Sequence, residues 1–478
     1  MGTIIKKYKW RIILGAFATV RVFVFSTFWV ASADKGGWVN FYDQAQHSKY
    51  ALMNIFHHFC DWHPPMYFAV TSALLHLTQT QWSIYIFQII CGLASVVLTY
   101  LIARMFFSEK ISFVAALMMA IEPFWAWHNF LLMTDNLYVP LFLAGFYFLF
   151  RFIKSGTYVS IAFSALMFSL ATLTRPNSLL LTLLLSFLLV LVFVFGEKFK
   201  IKNYPNISGL KHLFYCLLVF NGLFFLILAP WAIRNKLVYD RLTIANIMST
   251  NFFYYNLPPF ISWKENISYQ EAYDIYAQQA DRDLGKHIGN SRFDCTLFTN
   301  EELNKQLDYY NRKAKEVMLG NFPSYLTLHL IRTAPFFLQP GYFEMYSAYT
   351  GEFSKPDLTS ALMSGNLAEI KGFLKNINLK LIVYLMGVLL WAIISLAVFA
   401  SLFLSYKNKE KFLFAFFAVI VIICNALLIS PFVIARYRMS LYPFFFILAA
   451  YFFLEILPSL FKKANIADSD DKSSKNLQ

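Results

Sequence analysis

The sequence predicts an all-α polytopic membrane protein with about 10 transmembrane helices, in a range of about 10 to 13. Three observations support this prediction. The 478-residue chain is 58% hydrophobic and only 14% charged, whereas soluble domains carry about a quarter charged residues. Apolar runs of roughly 17 to 25 residues, long enough to cross a bilayer, recur along most of the chain. Basic residues collect between alternate runs, which is typical of cytoplasmic loops.

The composition also excludes several classes of function. The formal net charge is +14, but the lysines stand between apolar runs, which favours contact with anionic lipid over nucleic acid. The five cysteines form no CxxC pair, so neither a disulfide framework nor a zinc site is predicted. The basic N-terminus has no convincing cleavage site, and we interpret it as a retained first span.

The predicted spans share an apolar run of bilayer length. They lie near 12–31, 82–103, 111–128, 137–153, 158–173, 177–195, 212–231, 378–405, 412–432 and 440–460. The shorter run Met66–Leu77 follows two prolines and is predicted to form a juxtamembrane or re-entrant helix.

This arrangement can be tested against charge. With a cytoplasmic N-terminus, every predicted inner segment is basic, as the positive-inside rule requires. These segments are 6–11, 104–110, 151–154, 198–211, 407–411 and 462–463. A further span at Met66–Leu77 would invert the later loops and break the rule repeatedly.

Four regions follow from the spans. We expect an N-terminal transmembrane module at 1–233 with a first outer loop at 32–65, an outer helical region at 234–376, C-terminal transmembrane helices at 377–461 and a disordered cytoplasmic tail at 462–478. Within the outer region, helical patterns cover Tyr269–Leu284 and Glu301–Leu319, and 322–340 predicts an interfacial helix.

The first outer loop holds the main catalytic candidate. Asp43 and His47 stand at helical spacing, and Asp61 and His63 precede a Pro-Pro pair. A carboxylate within hydrogen-bond distance of a hydroxyl can remove its proton, so Asp43 is our candidate for a general base. The structural alternatives are helix capping for Asp43 and interfacial anchoring for the segment around His63.

Other candidates lie at the outer ends of later spans. Asp135 begins a span, where it either caps the helix or binds sugar hydroxyls, an acceptor or a metal. Arg175, Arg234, Arg436 and Arg438 stand at three outer boundaries. A guanidinium group binds phosphate oxygens in a fork, although interfacial arginines also reach toward lipid head groups.

Together these segments resemble the GT-C superfamily of membrane glycosyltransferases. The likeness rests on the Asp43 loop followed by HPPMYF, then TDNLYVPLF, LTRPN, APWAIRN and ARYRMSLYP, in that order. The branch most similar contains the protein O-mannosyltransferases and aminoarabinose transferases, which use polyprenyl-phosphate sugars. The chain departs from the family pattern at Gln44, where a second acid is common, and at His63, where aminoarabinose transferases carry lysine.

The resemblance implies an inverting transfer from a polyprenyl-phosphate sugar to a lipid, glycan or protein acceptor, with Asp43 as the base. Arg175, Arg234 and Arg436 would stabilise the leaving phosphate, with Arg438 near them. Asp135, His63, Asp61 and His47 would bind the substrates. The spacing demands no cofactor, although a divalent cation is left open. The rival functions are a transporter, a flippase or a ligase for lipid-linked glycans. We expect a bacterial inner membrane with a periplasmic site, or alternatively the endoplasmic reticulum.

Overall fold

A computed structural model describes residues 2–29, 63–199, 210–285, 299–342, 344–346, 379–431 and 433–461. Within these ranges the regular elements are helices, and no β-strand occurs. The predicted all-α class is confirmed.

The N-terminal half contributes the helices that pack around the centre of the bundle. These are α1 (Gly2–Val24), α2 (Met66–Thr78), α3 (Trp82–Phe106), α4 (Glu109–Ile121), α5 (Pro123–His128), α6 (Asp135–Ser155), α7 (Tyr158–Thr172), α8 (Ser178–Phe199) and α9 (Leu210–Tyr239). A π-helical turn (Phe25–Trp29) follows α1.

The C-terminal half begins with short helices and ends with long apolar ones. These are α10 (Ile247–Asn251), α11 (Leu257–Glu265), α12 (Tyr269–Leu284), α13 (Asn300–Gly320), α14 (Phe322–Ile331), α15 (Ala334–Leu338), α16 (Leu379–Leu404), α17 (Lys409–Ile429) and α18 (Tyr442–Tyr451). A π-helical turn (Phe252–Asn256) joins α10 to α11, and a 3₁₀ helix (Ala435–Leu441) precedes α18.

Seven helical segments within the described residues are long and apolar enough to cross a membrane. They are Lys7–Thr27, Trp82–Phe106, Asp135–Ser155, Lys211–Tyr239, Leu381–Leu404, Lys409–Ile429 and Ala435–Phe461. The outer sides of these helices carry large apolar side chains such as Leu226 and Leu396, which are 66% and 70% exposed. Extended apolar surfaces of this kind suit contact with lipid.

Three predicted spans are not among these seven. The span predicted at 177–195 corresponds to α8, whose apolar part covers Ser178–Leu191. The other two are shorter in the structure. The span predicted at 111–128 is divided by Glu122 into α4, of 13 residues, and α5, of 6 residues. The span predicted at 158–173 forms α7, of 15 residues. Prolines explain both ends, because Pro123 begins α5 and Pro176 follows α7 closely, and a residue before proline disfavours helical backbone angles.

The short helices nevertheless connect the same two ends of the bundle as the long ones. Lys9 of α1 pairs with Glu109 at the start of α4, and the Lys154 Nζ at the end of α6 lies 3.4 Å from Glu410 Oε2 at the start of α17. We call this the basic end. Of the segments that the sequence assigns to the cytoplasm, it contains the fully described ones, 6–11, 104–110, 151–154 and 407–411. The opposite end, which we call the cavity end, contains Asp135 at the start of α6.

Aromatic rings fill the centre of the bundle, and one glycine lets two of its helices approach closely. Phe146 of α6 packs edge-to-face on Phe168 of α7, with ring centroids 5.2 Å apart. At Gly145 a side chain would collide with the Phe168 ring. The Ser164 hydroxyl donates a hydrogen bond to the Gly145 carbonyl at 2.9 Å, an arrangement common where membrane helices meet.

Helix α2 agrees with the predicted juxtamembrane or re-entrant helix. Its 13 residues span about 20 Å, less than the roughly 30 Å of a bilayer core. It starts inside the bundle, where Met66 N donates to Leu173 O at 2.9 Å and Tyr67 Oη donates to Gln88 Oε1 at 2.9 Å. The loop before α2 therefore ends beside α3 and α7.

The predicted interfacial helix at 322–340 is corrected to two helices, α14 and α15. The second of these packs into the bundle, because Ser395 Oγ of α16 donates to Phe337 O at 3.0 Å and the Phe336 side chain is 1% exposed. Arg438 donates to the carbonyl oxygens of Phe336 and Gln339. These bonds satisfy backbone groups that an irregular segment inside a bundle would otherwise leave unpaired.

The helices predicted in the outer region are confirmed as α12 and α13. Helix α13 begins with a capping box, in which Thr299 and Glu302 exchange side-chain and backbone hydrogen bonds. Their shared core is aromatic. Phe253 stacks on Tyr310 with ring centroids 4.6 Å apart, and the Tyr254 and Tyr310 hydroxyls lie 3.1 Å apart.

We predict that Gly145→Val lowers the melting temperature of the detergent-solubilised protein, because the added methyl groups must displace Phe168. Overpacking of this kind costs about 1–3 kcal/mol. Gly222→Val is the matched control, since nothing lies within 4 Å of a side chain added at Gly222. Equal melting temperatures for the two variants would contradict the close packing of α6 on α7.

Candidate active site at the cavity end

A cavity of about 430 Å³ opens at the cavity end of the bundle. Its size is within the range of ligand-binding pockets. One wall comes from the ends of the bundle helices and the other from α10 and the π-helical turn that follows it. The lining residues are His63, Thr134, Thr174, Arg175, Pro176, Asn177, Ile247, Met248, Asn251, Phe252, Tyr255, Asn256, Leu428, Ile429, Ile434, Arg436 and Tyr437.

A buried ion pair lies behind the bundle wall. Arg175, in the turn between α7 and α8, donates to Asp135 Oδ1, and the two side chains are 13% and 5% exposed. Asp135 is the first residue of α6, and the N-cap position belongs to Thr134, whose side chain makes no capping bond. The Asp135 carboxylate therefore joins the start of α6 to the turn between α7 and α8.

A second arginine shares the same carboxylate. Arg436 Nε lies 3.8 Å from Asp135 Oδ2, and Glu344 is also close enough to interact with Arg436 electrostatically. The Tyr437 ring centroid lies 5.5 Å from Arg175 Cζ and 5.6 Å from Arg436 Cζ. Two guanidinium groups thus line the cavity, and among the described lining residues there is no carboxylate.

His63 completes this wall just before the two prolines that begin α2. Burial lowers its pKa to about 4, and the positive charges of Arg175 and Arg436 act in the same direction. The imidazole is therefore neutral near pH 7. In that form it donates one hydrogen bond and accepts one.

A buried network of polar side chains holds the turn that leads into Asp135. Asn129 Nδ2 donates to Asn136 Oδ1 at 2.9 Å, Gln88 Nε2 donates to Asn129 O at 3.0 Å, and Arg21 Nε donates to Asn129 Oδ1 at 3.3 Å. These residues were not predicted from the sequence. The available signal was polar residues inside apolar runs, which in membrane proteins usually have a partner.

The structure separates Arg436 from Arg438, two residues that the sequence placed together. They lie on a 3₁₀ helix with about three residues per turn, so positions i and i+2 face different directions. Arg438 is fully buried beneath Trp391, with its Cζ 3.5 Å from the ring centroid, and it binds the backbone carbonyls near α15. It is absent from the cavity lining.

Arg234 is likewise absent from the lining. Its side chain is 4% exposed and lies over the rings of Trp231 and Tyr239 at 4.8 and 5.0 Å. Arg234 Nη1 donates to Asn235 Oδ1 at 2.8 Å, and Asn235 Nδ2 donates to Thr243 O at 2.8 Å. This group holds the connection from α9 to α10.

Asp43, His47 and Asp61 lie outside the described residues, which resume at residue 63. Within the described ranges, no group of three or more His, Cys, Asp or Glu side chains could hold a metal ion. The sequence pattern also did not predict Asn177, Tyr437 or the wall at 247–256 as part of a site. The last of these carries a visible signal, the aromatic and amide run Asn251–Asn256.

Part of the chain that contributes to the bundle wall matches a known protein family. Residues 62–220 match the family of dolichyl-phosphate-mannose-protein mannosyltransferases. The matched segment contains His63, Asp135 and Arg175, and it covers about a third of the 478 residues. The resemblance to membrane glycosyltransferases predicted from the sequence is confirmed for this segment.

Among solved structures, the chain is similar to an archaeal oligosaccharyltransferase, AglB from Archaeoglobus fulgidus, in complex with an inhibitory peptide and a dolichol-phosphate. The TM-score is 0.47 and the sequence identity is 12%. The alignment covers 98% of this chain and 52% of AglB, so the chain spans about half the length of that protein. No curated protein matches the chain.

We predict that Asp135→Asn strongly destabilises the protein, because it leaves Arg175 and Arg436 without their shared carboxylate. Loss of one partner of a buried pair costs about 3–5 kcal/mol. Thermal unfolding in detergent measures the effect. The double variant Asp135→Asn/Arg175→Gln should lose less than the sum of the two single variants.

Asp240→Asn is the control for this experiment, because it breaks an exposed pair with Lys236. Exposed pairs contribute little to stability. The buried pair would not be a coupled unit if the losses of stability from Asp135→Asn and Arg175→Gln were additive in the double variant. The same conclusion would follow if Asp135→Asn and Asp240→Asn lowered stability equally.

The lowered pKa of His63 predicts a pH dependence of stability. Unfolded histidine has a pKa near 6.5, so as the pH falls from 7 toward 4 the unfolded chain takes up a proton that the folded protein excludes. Over this range of pH, the melting temperature of the wild type should fall more than that of His63→Asn. Parallel curves for the two proteins would mean that His63 is not held neutral.

Proposed function

We propose that this protein is an inverting glycosyltransferase that moves a sugar from a polyprenyl-phosphate donor to an acceptor at the outer face of a membrane. The observation that carries the proposal is the pair of guanidinium groups, Arg175 and Arg436, in a cavity at the end of a membrane bundle. The match of residues 62–220 to a family of dolichyl-phosphate-mannose-dependent transferases supports the same class of donor.

The donor phosphate would bind at the bundle wall of the cavity, which contains Arg175 and Arg436 and which we call the arginine wall. Guanidinium groups bind phosphate oxygens through charge-assisted hydrogen bonds. Apolar residues continue the lining beside Arg436, namely Leu428, Ile429 and Ile434. They offer a surface for the first isoprenoid units, while the rest of the lipid tail stays in the bilayer.

The transfer itself needs a base and a stabilised leaving group. Asp43 would take the proton of the acceptor hydroxyl as that oxygen forms a bond to the anomeric carbon. The bond from the anomeric carbon to the phosphate oxygen breaks on the opposite side, so the configuration inverts. Arg175 and Arg436 would stabilise the charge that grows on the departing phosphate, and preorganised electrostatics of this kind are usually the largest catalytic effect.

The remaining residues divide into those that contact substrate and those that support the site. Asp135 would fix the two arginines in position, and neutral His63 would hydrogen-bond to the donor. His47 and Asp61 are proposed to bind substrate from the same loop as Asp43. Arg234 and Arg438, which the sequence suggested as phosphate ligands, are now proposed to position α10 and α15.

The direction across the membrane follows from the positive-inside rule. If the basic end faces the cytoplasm, the cavity faces outward, toward the periplasm or the lumen of the endoplasmic reticulum. The cavity lies at one end of the bundle, whereas transporters usually bind their substrate near the bilayer midplane. Transfer therefore accounts for the site better than transport or flipping.

The proposal predicts that Asp43→Asn inserts and folds but loses about 10²- to 10⁴-fold in transfer rate, the usual effect of removing a general base. The purified protein would be incubated with a panel of polyprenyl-phosphate sugars and candidate acceptors. Mass spectrometry would follow the release of polyprenyl phosphate. Near-normal turnover by Asp43→Asn would refute the role of Asp43.

The arginine wall is tested in the same assay. Arg436→Gln should slow release by about tenfold or more, because it removes a group that stabilises the charge on the departing phosphate. Arg151→Gln, at the exposed surface of the basic end, should leave the rate unchanged. The double variant Asp43→Asn/Arg436→Gln should unfold at the same temperature as Arg436→Gln, because Asp43→Asn is predicted to affect transfer and not folding. If the wild type binds the donors but releases polyprenyl phosphate from none of them with any acceptor, the result would favour transport.

A further inference from the structure

The second wall of the cavity has its own chemical character. It consists of residues 247–256, which we call the amide wall. Asn251 at the end of α10 and three residues of the π-helical turn, Phe252, Tyr255 and Asn256, line the cavity. Phe253 and Tyr254 of the same turn belong to the aromatic core of the outer region. A π-helical turn is wider than an α-helical turn and is often found at functional sites.

The amides that line the cavity are not used by the fold. Within the described part of the chain, the side chains of Asn251 and Asn256 make no hydrogen bond, and the adjacent helices take no side-chain cap from them. The side chain of Asn177, on the opposite wall, likewise makes no hydrogen bond within the described residues. Each amide offers two donors and one acceptor. Such groups match sugar hydroxyls, which both donate and accept.

Aromatic rings accompany these amides. Phe252 is 40% exposed and lines the cavity together with Tyr255. A flat apolar ring beside hydrogen-bonding groups is the usual composition of a pocket that orients a small ligand. Such a ring can cover the apolar C–H face of a pyranose or furanose, while amides can bind its hydroxyls.

The amide wall is held rigidly from behind. Asn311 Nδ2 of α13 donates to Ser249 Oγ at 2.9 Å, and the stacked Phe253 and Tyr310 rings described above fix the next turn. These contacts fix the backbone that carries Asn251, Phe252 and Asn256, and a wall that is already ordered lowers the entropic cost of binding.

The distribution of charge limits the kind of sugar. On the described cavity lining the charged groups are Arg175 and Arg436, both on the opposite wall and both positive. Asp135 is engaged with these arginines, and Glu344 lies near Arg436. Among these described groups, an ammonium group on the sugar would meet only positive charge, whereas the hydroxyls of a neutral sugar would meet amides and aromatic rings. Asp43 and Asp61 lie outside the described residues.

We infer that the amide wall is the sugar-specificity surface of the site, and that it selects a neutral hexose or pentose over a cationic amino sugar. This inference rests on the proposed function, and it adds the residues that choose the sugar, Asn251, Asn256 and Phe252, with Asn177 facing them. The arginine wall takes the phosphate, and the amide wall takes the sugar attached to it.

The test compares three donors with the full-length protein in lipid nanodiscs: polyprenyl phosphates that carry a neutral hexose, a neutral pentose or an amino sugar with a free ammonium group. Each donor is supplied with the candidate acceptors of the transfer assay, and release of polyprenyl phosphate is measured for the wild type, Asn251→Ala, Asn256→Ala and Asn177→Ala. Gln270→Ala, an exposed amide on α12, is the matched control. A second measurement is competition by sugar-free polyprenyl phosphate.

We expect the wild type to use a neutral donor and to discriminate against the amino sugar. Each cavity-facing amide variant should raise KM for the neutral donor about tenfold, the effect of one lost hydrogen bond. Inhibition by sugar-free polyprenyl phosphate should not change, because the arginine wall is intact. Gln270→Ala should behave as the wild type.

Other results would overturn the inference. A preference for the amino sugar, or amide variants with wild-type KM, would refute the sugar assignment while the proposed transfer stands. A parallel loss of affinity for sugar-free polyprenyl phosphate would show that the amides support the phosphate site instead. Failure of the wild type to bind sugar-free polyprenyl phosphate and to release it from any donor would refute the proposed function itself.

Discussion

The cavity end depends on one carboxylate, that of Asp135. Its two oxygens face Arg175 and Arg436, which come from the α7–α8 turn and from the 3₁₀ helix before α18. In a region of low dielectric, two guanidinium groups would repel each other strongly without a shared anion. The same carboxylate therefore joins three parts of the chain and keeps the positive charge of the cavity in one place.

The general architecture could be predicted from the sequence because membrane helices obey two strong constraints, length and loop charge. The exceptions occur where backbone irregularity is stabilised by tertiary contacts. Pro123 divides a predicted span after Glu122, and α15 turns into the bundle because Arg438 binds its carbonyls. Hydropathy alone contains no information about such partners, which lie far away in the sequence.

The site could be predicted only in part. His63, Asp135, Arg175 and Arg436 do come together, as the pattern of ionisable groups at outer helix ends suggested. Arg234 and Arg438 were grouped with them because they also lie at the outer ends of predicted spans. The level of a residue in the membrane does not determine the direction in which its side chain points. The amide wall escaped prediction for a different reason: asparagine and aromatic residues are common in outer loops, and their orientation depends on a π-helical turn.

The position of Arg438 also bears on how the protein is made. The Phe336 carbonyl and the guanidinium that binds it are 102 residues apart. During synthesis α15 therefore emerges long before its partner, and its carbonyls must be satisfied by water or by other groups until the last helix arrives. The hydrogen bonds between Arg438 and α15 can form only after translation has passed Arg438, so this part of the bundle is among the last to be completed.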